Sequence, residues 1–338
     1  MDTKKLVYIG FAFSHHKGTH AGYHHIKDYL QYDYVIDCES FVQKCQYRNS
    51  IFSRIWSFIM RKMFGYPIFP YYILKCILLG ILHDNNVFHF IYTENTYVNF
   101  RRFIRKGNKI VCTIHQPVEW FVRYKWEKKL RSIDRIILVG ESEIDQFRAI
   151  TGKYNVVFIP HGIDTSFYCP KEISKKEKML LTVGNWLRDY GFANQVYHRL
   201  LSEDSELYVV IVSSVSNKAF ITPHERISFL SGISDEELHN LYIRSSVLYL
   251  PLIRYTANNS LLEAAACGCN IVISSDFPDN SYIPSDYLLL CPMDVDCVVD
   301  LIKRNYQYGF NTSLARYVDK HYSWETIGRD TKSLIMSL

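Results

Sequence analysis

The run Ser245-Ser246-Val247-Leu248-Tyr249-Leu250-Pro251-Leu252, followed after a short polar stretch by Asn258-Asn259-Ser260-Leu261-Leu262-Glu263-Ala264-Ala265-Ala266-Cys267-Gly268, leaves this chain few folds to choose from. An apolar, β-rich segment ends at Pro251, small polar residues follow, and an Ala/Leu-rich helix starts near Asn259 and stops at Gly268. Asn270-Ile271-Val272-Ile273-Ser274 then reads as another buried strand. Strand, loop, helix and strand in that order imply a parallel sheet. Backbone N–H groups at the helix start, with Asn258, Asn259 and Ser260 beside them, suit phosphate oxygens.

The same alternation fills the rest of the chain. Apolar runs at 6–10, 34–37, 87–91, 109–114, 135–139 and 156–159 read as strands of a first half, with helices between them at 22–30 and 143–150 among others. A polar, Lys-rich stretch over 169–178 reads as a linker. A second half restarts at 179–184 and continues through 207–212, 247–250, 271–274 and 287–290. The expected organisation is an α/β fold: a Rossmann-like domain over 1–168, the linker over 169–178 and a second Rossmann-like domain over 179–321, facing each other across a cleft. His321-Tyr322-Ser323-Trp324 leads into a last amphipathic helix, expected to return over 322–338 to the first domain through Ile327, Leu334, Ile335 and Leu338.

With 338 residues and 48% hydrophobic content there is material for two cores. A net charge of only +5 argues against nucleic acid as the partner. Nine scattered cysteines, mostly inside apolar runs, fit reduced thiols, and a start leading straight into a strand shows no signal peptide, so a cytoplasmic location is expected. Residues 51–82 are aromatic and aliphatic but interrupted by Arg54, Arg61, Lys62, Pro67, Pro70 and Lys75, which is too broken for a spanning helix. They read as two amphipathic helices, suited equally to peripheral contact with an anionic membrane and to a domain core.

Several ordered pieces resemble the GT-B glycosyltransferases, in particular the retaining family 4. Glu263 matches the second glutamate of that family's E-x7-E signature, while Tyr255 stands where the first would be. Ile159-Pro160-His161-Gly162-Ile163-Asp164 looks like its P-x-G-x-D linker, and Gly232-Ile233-Ser234-Asp235 like its base-holding loop. The resemblance implies transfer of a sugar from a nucleoside diphosphate sugar to a carbohydrate or lipid-linked acceptor. It further implies retention of configuration, no metal or other cofactor, and a place in surface polysaccharide or glycolipid synthesis. Asn258, Asn259 and Ser260 would face the donor phosphates, Glu263 its ribose, and the backbone of Gly232 and Ile233 its base.

The family's R-x4-K segment, after the first strand of the second domain, is absent: Asn185 and Tyr190 occupy its two positions in the loop that begins at Gly184. Arg188, and after it Arg254, are the cations expected to meet the diphosphate instead. His115, at a strand end of the first half, is expected to touch the donor sugar, and His20, Gly22 and Tyr23 lie where the family has its acceptor or sugar loop. Other readings stay open: another GT-B enzyme such as an epimerase or phosphorylase, or a non-catalytic sugar-binding member. His16, His20 and His24 at four-residue spacing, and Asp294-Val295-Asp296, look like metal motifs. The first falls in a predicted loop and the second opens a helix, so neither is expected to bind metal.

Overall fold

The computed structural model describes residues 4–38, 58, 62, 71–152, 154–170, 176–254, 257–275, 282–306 and 309–338. The chain divides into two compact units, residues 1–18, 22–160 and 327–338 in one and residues 19–21 and 161–326 in the other.

The first unit is built on β1 (Lys5–Gly10), β2 (Tyr34–Asp37), β3 (Asn86–Phe90), β4 (Lys109–Ile114), β5 (Arg135–Leu138) and β6 (Val156–Phe158). They form one parallel sheet in the order β2-β1-β3-β4-β5-β6. β3 is buried along its whole length, as expected of a strand covered on both faces. Helix Ile144–Thr151 stops on Gly152, whose φ of 66° closes the last turn in the left-handed region. Because β1 connects outward to β2 on one side and β3 lies on its other side, the chain reverses direction between β1 and β3. In open parallel sheets, ligands bind where the loops leaving two such strands diverge, beyond their carboxyl ends.

The second unit uses β7 (Glu177–Val183), β8 (Tyr208–Val212), β9 (Ile227–Leu230), β10 (Ser245–Pro251), β11 (Asn270–Ser274) and β12 (Leu289–Cys291), again all parallel, in the order β12-β11-β10-β7-β8-β9. Alternation along β10 divides its side chains between two cores. Leu248 and Leu250 pack with Leu261, Leu262 and Ala265 of helix Asn259–Ala266, while Val247 and Tyr249 pack with Ala193, Tyr197 and Leu200 of helix Tyr190–Glu203. Here the order reverses between β7 and β10. Helix Asp235–Arg244 begins with a capping box, the Ser234 hydroxyl accepting from Glu237 N–H (3.2 Å) and the Glu237 carboxylate accepting from Ser234 N–H (2.8 Å).

Several expectations are corrected. The first unit ends at Pro160, not 168, because the following segment belongs to the second core: His161 N–H donates to the Tyr282 hydroxyl (3.1 Å), Ile163 bridges to Ser323, and Tyr168 is buried beside Tyr242. The second unit therefore runs to Thr326, and the returning segment begins at Ile327 rather than 322. That segment is the main part of helix Trp324–Met336, with Ile327 and Ile335 fully buried, Gly328 against Tyr29 and Leu30, and Lys4 Nζ donating to Met336 O at 2.7 Å. Glu177 and Lys178, assigned to the linker, begin β7, and residues 171–175 lie outside the described residues. The edge strand β9 was not expected at all. Asp294 does open helix Val295–Asn305, accepting from Cys297 N–H at 2.8 Å.

Most of 51–70 lies outside the described residues, and Tyr71–Leu82 is a twelve-residue helix. Among the described residues no helix is long and apolar enough to cross a membrane.

Candidate functional site

At the reversal point of the second sheet, the loop after β7 and the loop after β10 are sewn together by Asp189 N–H to Pro251 O (2.9 Å) and Ile253 N–H to Leu187 O (3.1 Å). Leu187 has a φ of 54°, a conformation that a bulky side chain pays for in strain. The result is that Arg188 is carried to the start of helix Asn259–Ala266. Its Nη2 donates to Asn258 Oδ1 (3.0 Å) and Ser260 Oγ (2.9 Å), and its Nη1 to Trp186 O (2.8 Å). Gly184, with φ of 122°, leaves the room: a Cβ there would sit 2.7 Å from Arg188 Nη2.

Asn258 is the cap of this helix. Its Oδ1 accepts from Leu261 N–H (3.2 Å) and the Ser260 hydroxyl (2.8 Å) as well as from Arg188, so its oxygen is fully used. Asn258 Nδ2 and Arg188 Nε are buried and have no hydrogen-bond partner among the described residues. Two orphaned N–H donors, one of them on a guanidinium, thus lie beside a helix N-terminus, an arrangement that costs stability unless an anion completes it. Burial lowers the Arg188 pKa, yet a guanidinium remains charged at any ordinary pH.

The other residues expected at this site are placed differently. Asn185 braces the loop, its side-chain oxygen accepting from Ser214 N–H and the Ser213 hydroxyl, which leaves that oxygen committed to the protein. Glu263 lies one turn into the helix and faces inward. It is only 4% exposed and accepts from the Tyr242 hydroxyl at 2.8 Å, so it is not a solvated residue on an amphipathic face. Burial pushes its pKa up to about 7. Asn259 is the first helical residue, and Arg254 is half-buried in the loop after β10, where residues 255 and 256 lie outside the described residues. Gly232, with φ of 69°, and Ile233 connect β9 to the capped helix, with Ile233 packed on the second core.

His20 groups with the second unit. Its ring stacks on Phe167 (centroids 3.7 Å apart), its Nδ1 meets Asp164 Oδ2 at 2.7 Å, and its backbone N–H donates to the Asp235 carboxylate. Burial works against ionisation of Asp164, but hydrogen bonds from Ser166, His20 and Phe167 N–H outweigh it and hold its pKa below the ordinary value. His16, His20 and His24 do not share a helical face, because two short 3-10 turns and a loop carry them.

In the first unit, His115 follows β4 and its Nε2 lies 2.8 Å from Ile91 O. A carbonyl only accepts, so Nε2 carries the proton and Nδ1 is an acceptor. Burial lowers the ring's pKa to about 4, which keeps it neutral. Tyr23 and Tyr92 pack on this imidazole with centroids 4.8 and 4.9 Å away. Tyr23 was expected in an acceptor loop, but it is fully buried, its phenol lying toward Thr113 and Thr331 and pushed up to about 12 mainly by burial. It supports the site from behind. Gly22, with φ of 106°, has His24 and His16 so close that a Cβ would sit 2.9 Å from His24 Nδ1. The residue that sequence reading passed over is Glu94, in the turn Thr93–Thr96 directly after β3. Its Oε2 is buried with no hydrogen-bond partner among the described residues. Its signal was an acid four positions past the end of an apolar strand.

In sequence, no family model and no curated protein matches the chain. In fold it is similar to several solved structures. Anabaena HepE, in complex with UDP and glucose, is 11% identical with a TM-score of 0.64 over 99% of this chain and 100% of that one. The UDP-forming α,α-trehalose-phosphate synthase of Burkholderia xenovorans, in complex with glucose-6-phosphate, is 12% identical with a TM-score of 0.63 over 98% and 100%. S. aureus TarM, in complex with Fondaparinux, α-GlcNAc-glycerol and UDP, is 13% identical with a TM-score of 0.61; 78% of this chain covers 57% of that one. With its two parallel six-stranded α/β sheets, the chain has the GT-B glycosyltransferase fold of these neighbours.

Proposed function

We propose that the protein is a hexosyltransferase that moves a sugar from a nucleoside diphosphate sugar, with a uridine nucleotide as first candidate, to a carbohydrate or lipid-linked acceptor. One observation carries this reading: Arg188 Nε and Asn258 Nδ2, buried and without a hydrogen-bond partner among the described residues, at the reversal point of the second sheet and next to a helix N-terminus. A diphosphate offers the oxygens those donors lack, and neighbours with the same fold are seen in complex with UDP.

Chemically, breaking the bond between a sugar and a diphosphate places growing negative charge on the leaving oxygens. A guanidinium already oriented by Asn258 and Ser260 meets that charge without having to reorganise, and this is the source of transition-state stabilisation. The reading needs no metal, because Arg188 supplies the positive charge. Neutral His115 would hold a sugar hydroxyl through Nδ1 rather than transfer a proton at neutral pH. Membership of the retaining family 4, a role in surface polysaccharide or glycolipid synthesis, a cytoplasmic location and contact with an anionic membrane through residues 51–82 extend the same proposal.

A thermal-shift screen of nucleoside diphosphates and their sugars tests it, since a ligand of the native state raises the melting temperature. UDP or a UDP-sugar is expected to stabilise the protein, and Arg188→Ala to reduce the shift markedly at the same ligand concentration. No stabilisation by any nucleoside diphosphate, at concentrations up to several millimolar, refutes the reading.

A further inference from the structure

Of the eight described cysteines, seven are buried or half-buried and Cys297 alone is exposed. It is the third residue of helix Val295–Asn305, and a tight connection brings it back onto the strand that precedes the helix. Cys291 ends β12, Asp294 N–H turns back to Pro292 O (2.8 Å), and Asp294 then caps the helix by accepting from Cys297 N–H (2.8 Å). The Cys291 thiol, in a residue only 8% exposed, lies 3.7 Å from Ile273 O and is hydrogen-bonded to the Cys297 sulfur. Two thiols thus touch where β12 meets the helix, one shut away from water and the other open to it. Burial first, and the Cys297 sulfur after it, push the Cys291 thiol up to about 12, so the inner partner keeps its proton and the outer one meets reagents from solvent.

We propose that Cys291 and Cys297 form a dithiol modification site, which a low-molecular-weight disulfide converts reversibly to an intramolecular disulfide. Cys297 loses its proton to solvent and attacks one sulfur of the small disulfide. A mixed disulfide forms on Cys297, and the other half of the reagent leaves as a thiolate that takes up a proton. Cys291 then gives its proton to solvent and attacks Cys297 Sγ, expelling the second small thiol. Two protein thiols are oxidised, one small disulfide is reduced to two thiols, and the protons released equal those taken up. Once Cys297 carries the mixed disulfide it no longer repels charge on Cys291, so the first step eases the second. The bond would tie the end of β12 to the first turn of a helix whose Val298, Val299 and Ile302 pack with Val247 and Tyr249 of β10 and Val272 of β11. Oxidation therefore staples this layer of the second unit, because the crosslink restricts the unfolded chain more than the folded one. The site stands apart from the hexosyltransferase reading and needs neither donor nor acceptor.

The test uses the full chain. Protein is equilibrated with mixtures of glutathione and glutathione disulfide, both native and in concentrated urea, then quenched by alkylation and mapped by peptide mass spectrometry. Two cysteines six positions apart can also join in an unfolded chain, so the readout is the ratio of the native to the unfolded equilibrium constant. The Cys291–Cys297 bond is expected as the main oxidised form of the native wild type, with an equilibrium constant about tenfold or more above that of the unfolded chain; by linkage the same factor measures how far the bond favours folding. Cys297→Ser is expected to take up no glutathione at Cys291, Cys291→Ser to stop at a mixed disulfide on Cys297, and Cys169→Ser to behave as the wild type. The wild-type ratio needs no variant to fold. An equilibrium constant no larger in the native protein than in urea, a wild type that stops at the mixed disulfide, or Cys297 joined to a cysteine other than Cys291 would each overturn the proposal.

Discussion

Glu263 gives the most quantitative prediction. Raising a carboxyl from 4.5 to about 7 makes its ionisation cost about 3 kcal/mol more in the folded protein than in the unfolded chain. Because the folded value is the higher one, the stability is fully present below about pH 4.5 and is lost as pH rises through about 7. Glu263→Gln keeps an oxygen for the Tyr242 hydroxyl and removes the titration. Urea unfolding of wild type and variant at pH 4.5 and at pH 8 measures it, with the difference between the two proteins as the readout so that all other titrating groups, Glu94 included, cancel. The variant should gain about 3 kcal/mol on the wild type between those two pH values. A difference that stays constant within about 0.5 kcal/mol would mean that Glu263 ionises as freely as an exposed carboxyl, and the account of its burial would be wrong.

Arg188→Ala should weaken UDP binding or turnover by about 2 kcal/mol or more, roughly thirtyfold, and Arg254→Ala by less; the reverse order, read from calorimetry or kcat/KM, would identify Arg254 as the principal cation. Activity should survive EDTA, and Asp294→Asn with Asp296→Asn should shift stability by no more than about 1 kcal/mol, since Asn also caps a helix; loss on chelation that manganese or magnesium restores would contradict this. Deleting residues 327–338 should uncover the first unit around Tyr29 and Leu30 and make the protein aggregate, whereas a soluble, active truncation would show that the segment is dispensable.

Both sheets were legible because parallel strands are buried on both faces and so appear as continuous apolar runs, such as Lys109–Ile114 and Asn270–Ser274. The edge strand β9 escaped: Ile227-Ser228-Phe229-Leu230 is short and only partly buried, and it follows a Pro-containing loop. Arg188 was chosen from its loop alone, and the structure brings it to Asn258 and Ser260, seventy positions on in sequence. Glu94 could not be found the same way. Its significance depends on β3 lying beside β1, which is a property of strand order and not of the residues near it. Tyr23 failed for a related reason, since a loop next to a glycine gave no sign that its ring turns inward.

The first unit is discontinuous: residues 327–338 complete it, and they are synthesised only after the whole of 161–326. On a ribosome the second unit can therefore finish folding while the first still lacks the helix that covers Tyr29 and Leu30. Early in synthesis the N-terminal sheet would present an uncovered apolar surface to the cell for as long as the second unit takes to emerge. At about 5 to 20 residues per second that interval is on the order of ten to thirty seconds, long enough for chaperone binding to decide how much of the protein reaches its native state.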